Sequence, residues 1–219
     1  MLMEKIKVNY KGIIFRLLFS LSIGFLSKIY LILNNYRGKV YHLKTVLDDM
    51  IPFNKYFVIP YLYWYIYIAA VLIYFAVVDG KKYFKLLLSI LVGMGISCII
   101  YYFFPTTVSR PLLKGEDVFT KLVFFIYKKD NPYNCFPSIH VINSCLAAIY
   151  VNREGILKNY KMISTLIAVS IILSTLFIKQ HYVYDVLAGI IVSYIIYFAF
   201  NHSVVLDRVK QRYPLEINR

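Results

Sequence analysis

Two histidines, a carboxylate, a guanidinium and a serine occupy three short stretches of an otherwise apolar chain. In "KQHYVYD" (179–185), His181 and Asp185 are spaced i, i+4, which puts both side chains on one face if a helix begins near His181. The carboxylate then accepts from one ring nitrogen and leaves the other as a base or nucleophile. In "CFPSIH" (135–140), Pro137 and Ser138 make a natural helix opening, whose free backbone N–H groups favour an anion, with His140 just inside. In "FPTTVSRP" (104–111), Arg110 offers a planar, permanently charged donor suited to phosphate oxygens. Together these groups make an oxyanion site with a nucleophile and a proton donor. Singly, each has an ordinary explanation. Ser138 is then an N-cap, Arg110 a headgroup contact and His181–Asp185 a structural hydrogen bond; His42 and His202 read as interfacial residues.

Whether the three stretches meet depends on the elements that carry them. Hydrophobic residues make up 60% of the 219 and charged residues 16%, with a mean hydropathy of +0.62. Soluble domains are roughly half apolar, so this is the composition of a membrane protein. Apolar runs at 12–33, 58–78, 84–104, 137–152, 161–178 and 186–205 have the lengths of spanning helices. The expected fold is all-α, a polytopic membrane protein with six transmembrane helices in one bundle. It forms a single integral-membrane domain over 1–219, with its motif-bearing core at about 100–190. The first run contains Arg16 and Lys28 and is too long for a signal-peptide core, so it reads as a retained span.

Lysine and arginine orient the bundle. The N-terminus, the turns near 81–85 and 153–161, and the tail (Arg208, Lys210, Arg212, Arg219) hold 13 positive charges. The longer loops near 34–57, 105–136 and 179–185 hold 10. The denser side is expected to be cytoplasmic, with both termini. All three polar stretches then lie at the opposite, extracytoplasmic face, and ionisable groups converging at one membrane depth tend to be functional.

The net charge of +14 is spread over juxtamembrane loops, as anionic lipid headgroups favour, and no basic run with interleaved aromatics indicates nucleic acid. "YLYWYIYIAA" (61–70) reads as an interfacial aromatic belt. Cys98, Cys135 and Cys145 are odd in number and support no disulfide framework.

The order of an Arg–Pro pair, PSxH and a serine followed by HxxxD resembles the type 2 phosphatidic acid phosphatase superfamily, whose pattern is KxxxxxxRP, PSGH and SRxxxxxHxxxD. Arg110-Pro111 match the first motif, Pro137, Ser138 and His140 the second, and Ser174, His181 and Asp185 the third. Phe103 stands where the first motif has lysine, Ile139 replaces the glycine of the second, and Thr175 replaces the arginine of the third. Two phosphate-binding cations are thereby missing, and Lys179 is placed to supply one. With "LDDMIPF" (47–53), these departures look more like the branch of inositol phosphorylceramide synthase-like proteins, which transfer a phosphorylated headgroup between lipids.

The resemblance implies that His181 attacks phosphorus to form a phosphohistidine, with Asp185 orienting it. His140 protonates the leaving oxygen, and Arg110, Ser138, Lys179 and Ser174 hold the phosphate oxygens. It implies a lipid phosphate substrate within membrane lipids, with no cofactor and no metal. The favoured function is a membrane lipid phosphatase. Headgroup transfer, a metal-dependent hydrolase using His140, His181 and Asp185, and a non-enzymatic transporter or scramblase are the competing expectations. The motifs specify neither the lipid nor the oligomeric state.

Overall fold

A computed structural model describes residues 2–155 and 160–201. Lys158, His202, the basic tail and the last residues of the sixth apolar run lie outside them. The described chain forms α1 (Leu2–Phe19), α2 (Leu21–Leu33), the short α3 (Val46–Met50), α4 (Val58–Val78) and α5 (Gly80–Phe103). These are followed by α6 (Val118–Lys129), α7 (Ile139–Glu154), α8 (Tyr160–Phe177) and α9 (Val183–Asn201). Two strands of two residues each, β1 (Tyr41–His42) and β2 (Thr106–Thr107), pair in parallel and fasten the loop after α2 to the loop after α5.

The all-α polytopic membrane bundle follows from what these helices expose. Backbone groups in hydrocarbon must be satisfied within their own segment, which helices achieve. Five segments are long and apolar enough to cross a membrane: Tyr10–Leu33, Lys55–Val78, Gly80–Phe103, Tyr160–Phe177 and Val183–Asn201. Large apolar side chains such as Phe25, Ile32, Leu166 and Ile195 point outward from them. The remaining expected span is α7, with only 16 residues. It contains the buried polar residues Asn143 and Ser144 and packs against α4, α5, α8 and α9. Its neighbours supply the apolar surroundings that its own sequence lacks.

The core joins Phe75 of α4, Leu86 and Ile90 of α5, Ile142 and Leu146 of α7, and Ile171 of α8, all almost fully buried. Close helix approach is set by missing side chains. A Cβ at Gly93 would lie 2.7 Å from Ile142 Cγ2, and one at Gly189 would lie 2.9 Å from Val141 Cβ and 3.1 Å from the Ser138 carbonyl oxygen. α9 therefore packs directly on the first turn of α7.

At the end of the bundle formed by the α4–α5 turn, polar groups find ordinary partners. Asp79 caps α5 by accepting from the backbone N–H groups of Lys81 and Lys82 at 3.0 and 3.2 Å. Lys82 Nζ donates to the Glu154 carbonyl at 2.8 Å, Lys85 Nζ to Asn201 Oδ1 at 3.0 Å, and Arg16 Nη1 to the Ala76 carbonyl at 2.5 Å. The opposite end is more elaborate. Within the loop expected at 105–136, α6 is an amphipathic helix capped by Asp117, which accepts from the N–H groups of Phe119 and Thr120. α6 buries Val123 and Ile126 and leaves Phe124 and Phe125 exposed, the pattern of an interfacial helix.

Candidate active site

The turn between α8 and α9 is held from several sides. Lys179 adopts a left-handed conformation at φ 54°, reversing the chain. The Thr175 carbonyl accepts from the N–H groups of Gln180 and His181 at 2.9 and 3.1 Å, and Tyr127 donates its hydroxyl to the Ile178 carbonyl at 2.6 Å. From the other side, the 45–54 segment acts as a clamp. Thr45 and Asp48 form a capping box on α3, and Asp48 Oδ1 also accepts from the Val183 N–H at 2.8 Å. Lys179 Nζ donates to the carbonyls of Asp48 and Ile51 at 3.0 and 2.5 Å. Burial pulls the Lys179 ammonium below its usual range, partly offset by Asp48 and Asp49.

His181 stands in this turn with its Nδ1 3.0 Å from the Cys135 carbonyl oxygen and 3.4 Å from Asp185 Oδ2. A carbonyl only accepts, so Nδ1 carries the proton and Nε2 keeps its lone pair. Asp185, fully buried, also accepts the Tyr182 N–H at 2.8 Å. α9 begins at Val183, so His181 lies ahead of it. The i, i+4 pair meets because the carboxylate folds back over the entry to the helix, and a shared helical face plays no part. The Cys135 carbonyl is fixed in turn by Thr106 Oγ1, which accepts from the N–H groups of Cys135 and Phe136 at 3.1 and 2.9 Å.

The second histidine arrives on α7. Ser138 is its N-cap, with Oγ accepting from the Val141 N–H at 3.4 Å, and the Ser138 N–H donates to the Asp185 carbonyl at 3.2 Å. That bond ties the start of α7 to the start of α9. His140 sits against the rings of Tyr61 and Trp64, at centroid distances of 4.7 and 4.5 Å, and 6.0 Å from the His181 ring. Its Nε2 is buried without a hydrogen-bond partner among the described residues. Both histidines line a cavity of about 500 Å³, whose wall includes Tyr30, Tyr61, Trp64, Lys129 and Asp130.

The other expected site residues stand beside this cavity, outside its lining. Arg110 lies against the Tyr127 ring, 4.4 Å from its centroid. It donates from Nη1 to the Asp130 carbonyl at 2.8 Å and from Nη2 to Gln180 Oε1, and its buried Nε has no partner among the described residues. Ser174 is fully buried and donates to the Ile171 carbonyl at 2.6 Å. Ser138 is occupied as a cap and Lys179 with two carbonyls. The structure therefore brings His181, Asp185, His140 and Ser138 into one connected unit, reaches Arg110 through Gln180, and directs Ser174 and Lys179 elsewhere.

Sequence reasoning missed Asp130. Its Oδ1 accepts from the Tyr30 hydroxyl and from Asn34 Nδ2, each at 2.6 Å, and burial pushes its carboxyl above the usual range. The partners lie about a hundred positions away, so no local spacing marks them. Cys135, His181 and Asp185 present one potential metal-ligand atom each within 4.8 Å of one another, a set that differs from His140, His181 and Asp185. Burial pushes the Cys135 thiol well above its usual range, which disfavours the thiolate that a metal requires.

Residues 41–199 match the sequence model of the PAP2 superfamily. No curated protein and no solved structure matches the chain. The matched region contains the clamp, both histidines, Asp185 and Arg110, and members of this superfamily are generally phosphatases or phosphotransferases. With its motifs joined at one end of a membrane bundle and the match running through most of its length, the chain belongs to the PAP2 superfamily.

Proposed function

We propose that the protein is a membrane lipid phosphatase that works through a phosphohistidine on His181. The observation that carries this reading is the fixed His181 ring, protonated at Nδ1 toward the Cys135 carbonyl and Asp185, on the wall of a cavity it shares with His140. Nε2 attacks phosphorus as the bond to the lipid oxygen breaks, and His140 delivers a proton to that oxygen. His140, now a base, takes a proton from water, which attacks the phosphohistidine, frees phosphate and restores Nε2. Asp185 and the Cys135 carbonyl stabilise the cationic ring between the two steps. Arg110 is the assigned phosphate ligand, since its Nε is the uncommitted donor of the set. Ser138, Ser174 and Lys179 support the backbone that presents the histidines.

Headgroup transfer to an alcohol is the second reading, favoured by the residues at the two missing family cations. Phe103 is 77% exposed at the end of α5, and Thr175 is fully buried with its hydroxyl on the Ile172 carbonyl. Neither position offers positive charge to a monoester dianion. The cavity is assigned to the extracytoplasmic side by the distribution of lysine and arginine. Cysteine introduced at the exposed Lys114, in a chain cleared of Cys98, Cys135 and Cys145, then reacts with an impermeant thiol reagent in intact cells.

The deciding experiment incubates purified protein with radiolabelled lipid phosphates, stops the reaction, and looks for acid-labile, base-stable label on the chain. Label on wild type and none on folded His181→Ala supports the phosphohistidine, and equal label on both overturns it. Free phosphate released without any acceptor marks a phosphatase. Product that appears only with an added alcohol lipid marks a transferase. Turnover abolished by strong chelation would point to the metal-dependent alternative.

A further inference from the structure

Asp130 is a part-buried carboxylate whose side chain, among the described residues, is in no ion pair, although the charges of Arg110 and His181 lie near enough to favour its ionised form. Its Oδ1 is held by two neutral donors, the Tyr30 hydroxyl and the Asn34 amide. Arg110 passes close by but donates to the Asp130 backbone carbonyl. Among the described residues no lysine or arginine forms an ion pair with this side chain, although Lys129 is its chain neighbour. Among the described residues Oδ2 has no hydrogen-bond partner, and Asp130 lines the cavity. The same cavity is walled by the rings of Tyr30, Tyr61, Trp64, Tyr65 and Tyr101.

One carboxylate among aromatic rings is the surrounding that suits an organic ammonium ion, which ring faces attract and the carboxylate neutralises. We propose that this cavity selects lipid phosphates that carry a positively charged amine a few bonds from phosphorus, with Asp130 as the residue that selects them. The inference rests on the reading of the cavity as a lipid-phosphate site. A phosphate at His181 with an ammonium at Asp130 gives a zwitterion two complementary poles, whereas a bare monoester leaves Asp130 unanswered; Lys129, the cation on the same wall, stands over the Phe125 ring. Burial raises the Asp130 carboxyl, with Tyr30, Arg110, His181 and Asn34 offsetting part of the rise, and a bound cation would offset more of it. Leu31, Leu62, Met94 and Phe125 line the rest of the cavity and suit an alkyl tail.

Two sources share this chemistry: an amino-alcohol headgroup esterified to the phosphate, and an amine on the lipid backbone beside it. Trp64, the single tryptophan of the chain, lines the cavity and reports its occupancy by emission. Full-length protein in maltoside detergent is titrated with hexadecylphosphocholine, sphingosine phosphate and hexadecyl phosphate. At least one amine-bearing probe is expected to bind about ten-fold or more tighter than hexadecyl phosphate, and the tighter of the two identifies the source. Asp130→Asn should bring the three affinities together. Tyr65→Leu, at an exposed wall position, should weaken the amine-bearing probes alone and serves if Asp130→Asn does not fold. Wild type that binds hexadecyl phosphate as tightly as the others, or a preference that survives both substitutions, overturns the proposal. His181→Ala should keep the preference while losing the phosphohistidine, so failure of the catalytic reading is told apart from failure of this one.

Discussion

The two ends of the bundle treat polar side chains in opposite ways. Near the α4–α5 turn, Lys82, Lys85, Arg16 and Asp79 reach carbonyls, an amide and helix N–H groups at 2.5 to 3.2 Å. At the other end, His140 Nε2, Arg110 Nε, Gln180 Nε2, Asn134 Oδ1 and Asp185 Oδ1 are buried without partners among the described residues. Unpaired buried polar atoms each cost about 1–3 kcal/mol and are rare. Among the described residues most such atoms gather around the two histidines, as groups kept ready for something that enters, although Asn152 Oδ1, near Glu154 at the other end, is unpaired as well.

Substitutions at the two ends should therefore differ in kind. The largest effect belongs to His181→Ala, which under the proposed phosphohistidine mechanism is expected to lower turnover by about 10³-fold or more with little change in melting temperature, because no neighbouring group can replace it as nucleophile. Turnover close to wild type in folded protein would remove the contrast. Next is Asp185→Asn, where the side chain still fits the entry to α9 but no longer stabilises a cationic His181 ring. A fall in kcat of about 100-fold or more is expected, with the fold retained by circular dichroism. Lys179→Met sits between the two kinds. It removes two charge-assisted hydrogen bonds from the clamp and should lower stability by about 1.5–3 kcal/mol. A loss confined to phosphate affinity, with melting unchanged, would instead make Lys179 a direct ligand. The smallest effect is Lys82→Met, whose ion pair with Glu154 is about 30% exposed on both sides. It should cost about 1 kcal/mol or less and leave kcat untouched.

What the sequence revealed follows the range of the interactions. His181 and Asp185 were legible because four residues separate them, and Pro137-Ser138 because a cap is a local device; both depend on positions within one turn. Even there the physical reason differed, since His181 precedes α9 and the carboxylate folds back to meet it. Spans were legible from apolar length, but α7 shows the limit of that signal: a helix enclosed by four others can be short and carry Asn143 and Ser144. The Asp130–Tyr30–Asn34 cluster left no trace, because only the packing of α2 beside the 130–134 loop brings those residues together. The partners of Lys179 are equally distant in sequence. Its charge suited phosphate by position, while its left-handed backbone and the clamp at Asp48 and Ile51 direct the ammonium away from the cavity. α6 lies inside the loop expected at 105–136, since twelve amphipathic residues lack the run length that marks a span.

Gly189 gives the site a tolerance that no polar bond specifies. The two histidines ride on different structures, His140 on α7 and His181 on the approach to α9, so the gap between their rings is a matter of how closely two cylinders lie. That closeness is set where a hydrogen atom, rather than a methyl group, faces Val141 and the Ser138 carbonyl. A single added carbon would act as a shim, shifting one half of the reaction centre against the other by a few tenths of an ångström. Every chemically reactive atom would remain in place on its own segment of chain. An enzyme disabled in this way would keep all of its recognisable parts and lose only their alignment.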